Sequence, residues 1–592
     1  MRTLRHSIAL ALTVLVVFGT IAFNSPVSAA EKKEKAEKAP KTGKKKDKGI
    51  PGADIFDNKT VLPIRIEIAT NELKALQIDN RKYVRATVWE GTNVWYDVGV
   101  HLKGAAGSFR GVADKPALTL SFGKFTPEQR FHGLRKIHLN NSVQDPSFLT
   151  ENICGELYRL AGIPAARVSF ATVQLNGKKH GLYVLKEGFT KEMLALTFKN
   201  TKGNLYDGGF IREVTDQLER DLGEDHDVAD WSDLKALAKA AINPNASTRF
   251  DELSQVLDVD RFLSYLALQI MTWDWDGYVM NRNNYRVYHD LESGKMVFIP
   301  HGMDQMFSVS DSSIQPPDKF NGLVASAFIR TPMGRLLYRE RFGQIFTNVF
   351  QLEMMTNRVN ELGALLRPYA ANDHSNHVKR IRDLILARHT NLQRRLTEPE
   401  PTPLQFLSGV APLTNWIIPV STQEKGNAPR DQVTEDGRAS LHIRATNTTT
   451  ASWRARVLLE AGRYRFEATA KSAGVVKVPA VVKKKPAAVP AAADGVAVVE
   501  REAQAAATRP AIDGVVAAVI EPEKKGEGAG IRHSGTQKPR ENQLLGDTPW
   551  QPLVYEFDVA PPSEEVTLVC ELRAISGDVW FETGSLRLVK LK

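Results

Sequence analysis

Cysteine is nearly absent from this chain: two in 592 residues, Cys154 and Cys570. That count excludes a disulfide framework and a structural zinc site. Cys154 falls on the apolar side of an expected helix, where an inert buried thiol is the default. Long apolar runs are as scarce. One exists, "SIALALTVLVVFGTIAF", preceded by Arg2 and Arg5 and followed by the small-residue pattern "VSA" at Val27–Ala29. This is the layout of a secretory signal over residues 1–29, with an uncleaved anchor as the alternative. No other run is long and apolar enough to span a bilayer. The expectation is an extracytoplasmic protein, in the periplasm or cell envelope or secreted, that is not transmembrane once the signal is removed.

Positive charge is scarcer than the net +10 suggests. Residues 31–50 hold nine lysines against four acids, and Arg2 and Arg5 add to them. The rest is close to neutral, so no nucleic-acid groove is expected. Residues 30–52 read as a Lys-rich disordered linker. Aromatic residues vanish between about 475 and 530, a stretch of Ala, Val, Pro and Lys that reads as a low-complexity insert.

What is present divides the remainder. Residues 53–210 alternate strand and turn signals around one helix. "LPIRIEIA", "VRATVW", "YDVGVHLKG" and "ALTLSF" read as strands, and "RVSFATVQLNGKKHGLYVLKE" as a hairpin turning at Asn176-Gly177. Asp145-Pro146 is the expected start of the helix, with apolar residues at Leu149, Ile153, Leu157 and Leu160. Residues 211–400 are mainly helical, and Asp260 is the expected cap of "RFLSYLALQIMTW". Residues 401–592 carry short alternating strands, which predicts an antiparallel β-sandwich around the insert. The fold class is therefore α+β followed by an all-β domain.

Three polar clusters could carry chemistry. Gly104, Gly107 and Gly111, with Ser108 among them, precede Lys115 at the start of a strand. Such a loop either cradles phosphates or is only a turn. Glu151 lies in the first turn of its helix, where it either pairs with a lysine or simply suits the dipole. The third cluster is "WDWDGYVMNRNNYRVYHD", Trp273–Asp290, followed by the strand "MVFIP" and Asp304. Asp274, Asp276, Asn283, Asn284 and Asp304 could converge on a divalent cation, or they could cap turns.

Five motifs, "GVHLKGAAGSF…DKPALTLSF", "FHGLRKIHLNNSVQDPSFLTENI", "VQLNGKKHGLYVLKE", "DWDGYVMNRNNYRVYHD" and "FIPHGMDQMF", occur in the order seen in the CotH kinase family. Residues 60 to 310 resemble this group of spore-coat protein H-like atypical secreted kinases. The resemblance implies a distant protein-kinase-like core with a β-rich N-lobe and a helical C-lobe, the use of ATP with Mg²⁺ or Mn²⁺, and a protein substrate in the envelope or outside the cell. It also implies roles. Lys115, with Gly104, Gly107 and Ser108, would meet the nucleotide, and Glu151 would pair with Lys115. Asp276 would orient the substrate hydroxyl. Asn284 and Asp304 would hold the metal, with Asn281 as an alternative register for the amide and Asp274 as a competitor for the catalytic acid.

One departure stands out. The family's "WD-x-D" ending reads Pro300-His301-Gly302-Met303-Asp304 here, so Gly302 replaces the first acid. That keeps open a non-catalytic coat or envelope component with the same fold. A third reading places a glycan on the C-terminal domain through Trp453, Tyr464, Trp550, Trp580 and Phe581, against the alternative that these side chains fill its core.

Overall fold

The computed structural model describes residues 49–105, 107–223, 231–315, 319–398, 402–418, 428–477, 527–534 and 542–591. The signal sequence, nearly all of the Lys-rich linker and most of the insert lie outside the described residues.

The first part is a barrel. Its strands are β1 (Leu62–Glu67), β2 (Val84–Glu90), β3 (Asn93–Lys103), β4 (Ala117–Ser121), β5 (Lys136–Asn140), β6 (Val168–Leu175) and β7 (Lys178–Glu187), with helix α1 (Thr70–Ile78) after β1 and α2 (Thr150–Leu160) after β5. The strand order is β1-β2-β3-β4-β5-β7-β6, closed by a parallel pairing of β1 with β6. Alternation drives it: Leu62, Ile64 and Ile66 on β1 are buried while their neighbours face out. Val88, Val100, Leu120, Leu139, Tyr183 and Leu185 join them in one core. The β6–β7 hairpin turns at Asn176 (φ 46°) and Gly177 (φ 79°), the left-handed pair that a two-residue turn requires.

Helix α2 begins later than expected. Asp145 is not its immediate cap; the helix starts at Thr150, and Asp145 reaches forward to accept from the backbone N–H groups of Ser147 and Thr150, both at 3.0 Å. The left-handed Phe148 (φ 64°) makes room for that loop.

The second part contains α3 (Lys191–Leu194), β8 (Leu205–Asp207), β9 (Glu219–Leu222), α4 (Ser232–Ile242), α5 (Ala246–Val256), α6 (Val259–Met271), α7 (Tyr278–Asn281), β10 (Tyr285–Asp290), β11 (Lys295–Pro300), α8 (Leu323–Ile329), α9 (Pro332–Asn348), α10 (Leu352–Leu366) and α11 (His374–Leu396). The strands pair in the order β11-β10-β8-β9. Helix α6 is capped by Asp258, which accepts from the Arg261 N–H; Asp260 lies inside the helix and pairs with Arg341 of α9. Residues of α2, α4, α6, α8, α9, α10 and α11 share one apolar core. Arg388 of α11 is buried inside it. It donates to the Ile270 and Met271 carbonyls at the C-terminus of α6, at 2.6 and 3.0 Å, and lies over the Trp273 ring. The helix end, which carries partial negative charge, accommodates a guanidinium that has no carboxylate in direct contact among the described residues.

The third part holds β12 (Val410–Pro412), β13 (Arg430–Glu435), β14 (Arg438–Ala445), β15 (Thr449–Val476), β16 (Gly528–His533), β17 (Gly546–Ala574), β18 (Ser576–Glu582) and β19 (Arg587–Lys590). Every pairing among them is antiparallel. They enclose a core of their own that includes Trp453, Tyr464 and Phe581. Trp580 stacks on His442, and Lys471 lies over both Trp580 and Trp550. The structure thus has mixed helices and strands followed by an antiparallel β region.

Candidate active site

The site is assembled on the outer face of the barrel. On β7, Leu182 and Val184 pack into the helical core while Tyr183 and Leu185 enter the barrel. The next residue on the outward face is Lys186, fully buried. Its Nζ lies 2.5 Å from Oε1 of Glu151, which is 3% exposed on the first turn of α2. Asn140 at the end of β5 donates to the other carboxylate oxygen at 2.5 Å, and its own Oδ1 accepts from Lys103 Nζ at 2.5 Å. Burial alone would raise the Glu151 carboxyl; the Lys186 and Lys103 charges and these hydrogen bonds outweigh it and hold the group below the ordinary carboxylate range. Burial, then repulsion from Lys186, pushes the Lys103 ammonium down to about 8.

The expected pair of Lys115 with Glu151 does not form. Lys115 Nζ sits over the rings of Phe148 and Tyr183, at 5.0 and 5.1 Å. Glu151 is taken by Lys186 instead. Burial pushes the Lys115 ammonium down to about 8 as well.

The glycine-rich loop folds over the segment that follows β5. Gly104 (φ 98°) and Gly107 (φ 82°) take left-handed conformations, and a Cβ on Gly107 would come within 2.7 Å of the Gln144 amide. Ser108 Oγ accepts from the Ala105 N–H at 3.2 Å, and the Ser108 carbonyl accepts from Asn141 at 3.0 Å. The hydroxyl therefore shapes its own loop. Arg81 pins the loop's root by donating to the carbonyls of Leu102 and Gly104, at 3.1 and 2.6 Å.

Opposite this face lies the loop after α6. Asp274 is buried. Its Oδ2 accepts from Gln269 at 2.6 Å, and its Oδ1 has no partner among the described residues. Burial, then the Asp276 and Asp304 charges, pushes its carboxyl well above the ordinary range. With no cation present, that direction favours the neutral acid at Asp274. Asp276 is half-buried and receives three amides: Asn281 on Oδ1 at 2.7 Å, and Asn283 and Asn284 on Oδ2 at 3.2 and 2.9 Å. Both asparagine registers therefore converge on Asp276. Asn284, itself left-handed at φ 50°, is the one that abuts the strand end carrying Asp304, where its carbonyl accepts from the His301 N–H at 3.0 Å.

That contact explains Gly302. Its φ is 62°, and a Cβ there would lie 2.6 Å from Asn284 Oδ1. The space for a side chain is taken by the asparagine. Asp304 follows two residues later, its carboxyl pushed up to about 7 by burial and then by Glu151 and Asp145. His301 Nδ1 is 3.3 Å from Lys186 Nζ and its ring meets Phe189 edge-on at 5.4 Å. Burial and then Lys186 push the imidazole well below its ordinary value, so it is a neutral acceptor for the lysine.

These residues fit a divalent cation. Asp274 Oδ1 lacks a partner among the described residues, and Asp304 has the Glu151 and Asp145 charges within electrostatic reach. Among the described residues no three His, Cys, Asp or Glu side chains gather as a self-sufficient metal site. A magnesium-type ion that shares its shell with substrate phosphates requires only one or two protein carboxylates, and Asp304 with Asn284 meets that description.

Sequence pattern did not single out Lys186, Lys103 or Asn140. The signal was available for Lys186: a lysine on the same alternating face as Leu182 and Val184, where an apolar residue is the rule.

Comparison with known proteins adds the lineage. The family model described as CotH kinase protein matches residues 100–393. Inner spore coat protein H of Bacillus subtilis (strain 168) is 26% identical over 278 residues, covering 42% of this chain and 72% of that protein. Invasin CotH3 of Rhizopus delemar is 23% identical over 266 residues, covering 40% of this chain; the match spans 44% of the invasin's length. Among solved structures, the proinflammatory kinase CtkA of Helicobacter pylori aligns over 49% of this chain and 96% of its own, at 9% identity and a TM-score of 0.25. The HipA–HipB toxin–antitoxin system of Shewanella oneidensis MR-1 with its operator DNA gives 12% identity over 58% of this chain and 76% of that one, also at a TM-score of 0.25. At that score neither likeness bears on the fold. Residues 100–393, just under half of the chain, match the CotH kinase family, and they contain Lys103, Glu151, Lys186, Asp276, Asn284 and Asp304.

Proposed function

We propose that this protein is an extracytoplasmic, metal-dependent phosphotransferase that moves the γ-phosphoryl group of ATP to a hydroxyl on an envelope or extracellular protein. The observation that carries the reading is the buried Lys186–Glu151 pair standing beside Asp304, with Asp276 held by three amides across from it. Phosphoryl transfer asks mainly for positioning and charge neutralisation. Lys186, oriented by Glu151 and His301, would contact the phosphates, with loop 104–111 and Ser108 over them. Lys115 would then serve at the loop's edge rather than at Glu151. Asp276, fixed by its asparagines, would orient the attacking hydroxyl and take its proton as the bond to the terminal phosphorus forms and ADP leaves. Asp304 and Asn284 would hold Mg²⁺ or Mn²⁺, which supplies charge neutralisation at the phosphates. The location outside the cytoplasm is supported by the N-terminal sequence pattern and by the spore-coat and invasin names of the relatives.

The test is phosphate incorporation by the mature chain from labelled ATP with Mn²⁺ or Mg²⁺, beside Asp276→Asn, Lys186→Met and Asp304→Asn. Labelling by the wild type that each substitution lowers by about two orders of magnitude is expected. Equal labelling in all four sinks the reading.

A second reading, a coat or envelope component that binds nucleotide without turnover, is favoured by Gly302, where the family's first acid is missing. It predicts metal-dependent nucleotide binding in the wild type with no label transferred.

A further inference from the structure

The outer face of the barrel carries more positive charge than one glutamate answers. Arg286 is matched by Asp207 and Asp221, at 2.6 and 2.9 Å. Lys186 is matched by Glu151. His138, beside Thr119 on the same face, and His301 are both held well below their ordinary values by burial and the neighbouring cations, so neither adds charge. Lys136, at the other end of β5, has Asp221 within electrostatic reach; Lys103 has Glu151 and Asp304 within such reach but no direct ion pair among the described residues. Its one hydrogen bond among the described residues is to the neutral Asn140 amide, and no carboxylate there is in ion-pair contact with it. Asn140 spaces it from Glu151, whose second oxygen that amide already occupies.

Its place on the chain gives this charge a direction. Lys103 is the last residue of β3 and directly precedes Gly104, whose left-handed backbone opens the glycine-rich loop. Leu102 points into the barrel core, so Lys103 points to the outer face with Lys186 and Asn140. Two lysines thus lie around Glu151, with Asp304 as the next carboxylate, beneath a loop whose glycines permit close backbone approach. A half-buried ammonium without a direct ion pair at that position calls for an anion.

We infer that Lys103 is a second phosphate-binding lysine, which together with Lys186 grips the polyphosphate of a nucleoside triphosphate under the glycine-rich loop. The inference rests on the nucleotide-binding part of the proposed function. It assigns Lys103 to the phosphates and not to the base. It also accounts for Asn140: an acid at that position would neutralise Lys103 and compete with the ligand.

The experiment measures binding of ATP, inorganic tripolyphosphate and adenosine, each with Mn²⁺, to the mature chain and to Lys103→Met, Lys103→Arg and Lys186→Met. Loss of one charge-assisted contact predicts about tenfold or greater weakening of ATP and tripolyphosphate in Lys103→Met. Partial recovery is expected in Lys103→Arg, with adenosine unchanged in both. A second measurement uses the wild type alone: amine acetylation read by mass spectrometry, in which tripolyphosphate should protect Lys103. Equal ATP and tripolyphosphate affinity in Lys103→Met, or Lys103 labelled at the same rate with and without tripolyphosphate, overturns the inference. If Lys186→Met abolishes ATP binding while Lys103→Met leaves it intact, only the Lys103 assignment falls. A wild type that binds neither ATP nor tripolyphosphate removes the assignment and the proposed function together.

Discussion

At Gly302 the missing acid is a matter of space. Restoring it by Gly302→Asp places a side chain at φ 62° and against Asn284 Oδ1. Strain and overlap of this kind cost about 1–3 kcal/mol each. The variant is expected to melt at a lower temperature and to show no gain in metal-dependent nucleotide binding; a gain would mean that the family's acid is tolerated here. Asp304 makes a second prediction. Its folded value of about 7 lies above the unfolded value near 3.8, so its burial is least costly at low pH. The stability it contributes is present below about pH 4 and is lost as pH rises to 7. Glu213, buried and also pushed up to about 7, adds a slope of the same sign. Between pH 5 and 8 the melting temperature of Asp304→Asn should fall less than that of the wild type, and Mn²⁺ should raise the wild-type melt more at pH 8 than at pH 5.5. Identical pH slopes in the two proteins would count against the assignment. At this scale the residue pattern offered Asp276, Asn284 and Asp304 either as a ligand set or as turn caps, and the family resemblance supplied their roles. Lys186 was legible only as a lysine at a core-facing strand position; that it is the one to meet Glu151 depends on which faces of different elements meet.

Among the elements, α6 and the loop behind it depend on a residue far along the chain. Arg388 binds the last carbonyls of α6 just before Trp273, Asp274 and Asp276. Arg388→Met leaves those carbonyls unsatisfied in the core. It is expected to cost about 1–3 kcal/mol for each carbonyl left unpaired, and, under the proposed function, to lower phosphate transfer more than nucleotide affinity, since the loop bears Asp276. An unchanged melt would show that water or a neighbouring group replaces the arginine. Strand positions were legible where alternation repeats every two residues, as in β1, or where a turn pair marks a hairpin, as Asn176-Gly177 does before β7. Helix starts were not: α2 begins at Thr150 because Asp145 caps across five residues, and α6 takes Asp258 rather than the nearby Asp260. Several short acids compete for such positions, and only the tertiary partner of each, Arg341 for Asp260, decides between them.

For the whole molecule, the C-terminal strands surround a separate apolar core. Three of the five aromatic side chains considered for sugar stacking, Trp453, Tyr464 and Phe581, lie inside it. Trp453→Ala is expected to cost about 3–5 kcal/mol in a thermal melt. Unchanged stability with lost glycan retention would reverse that assignment. The barrel bears on regulation. In ordinary kinases the lysine–glutamate pair is made and broken as its helix moves. Here Lys186 rides on a strand of a closed barrel, Asn140 of the same barrel holds Glu151, and Asp145 fastens the backbone where α2 begins. The pair is secured from three directions, so it works as a fixture and not as a lever. Under the proposed function, on–off control would then act on who reaches the site: on delivery of the triphosphate, or on which protein is brought to Asp276.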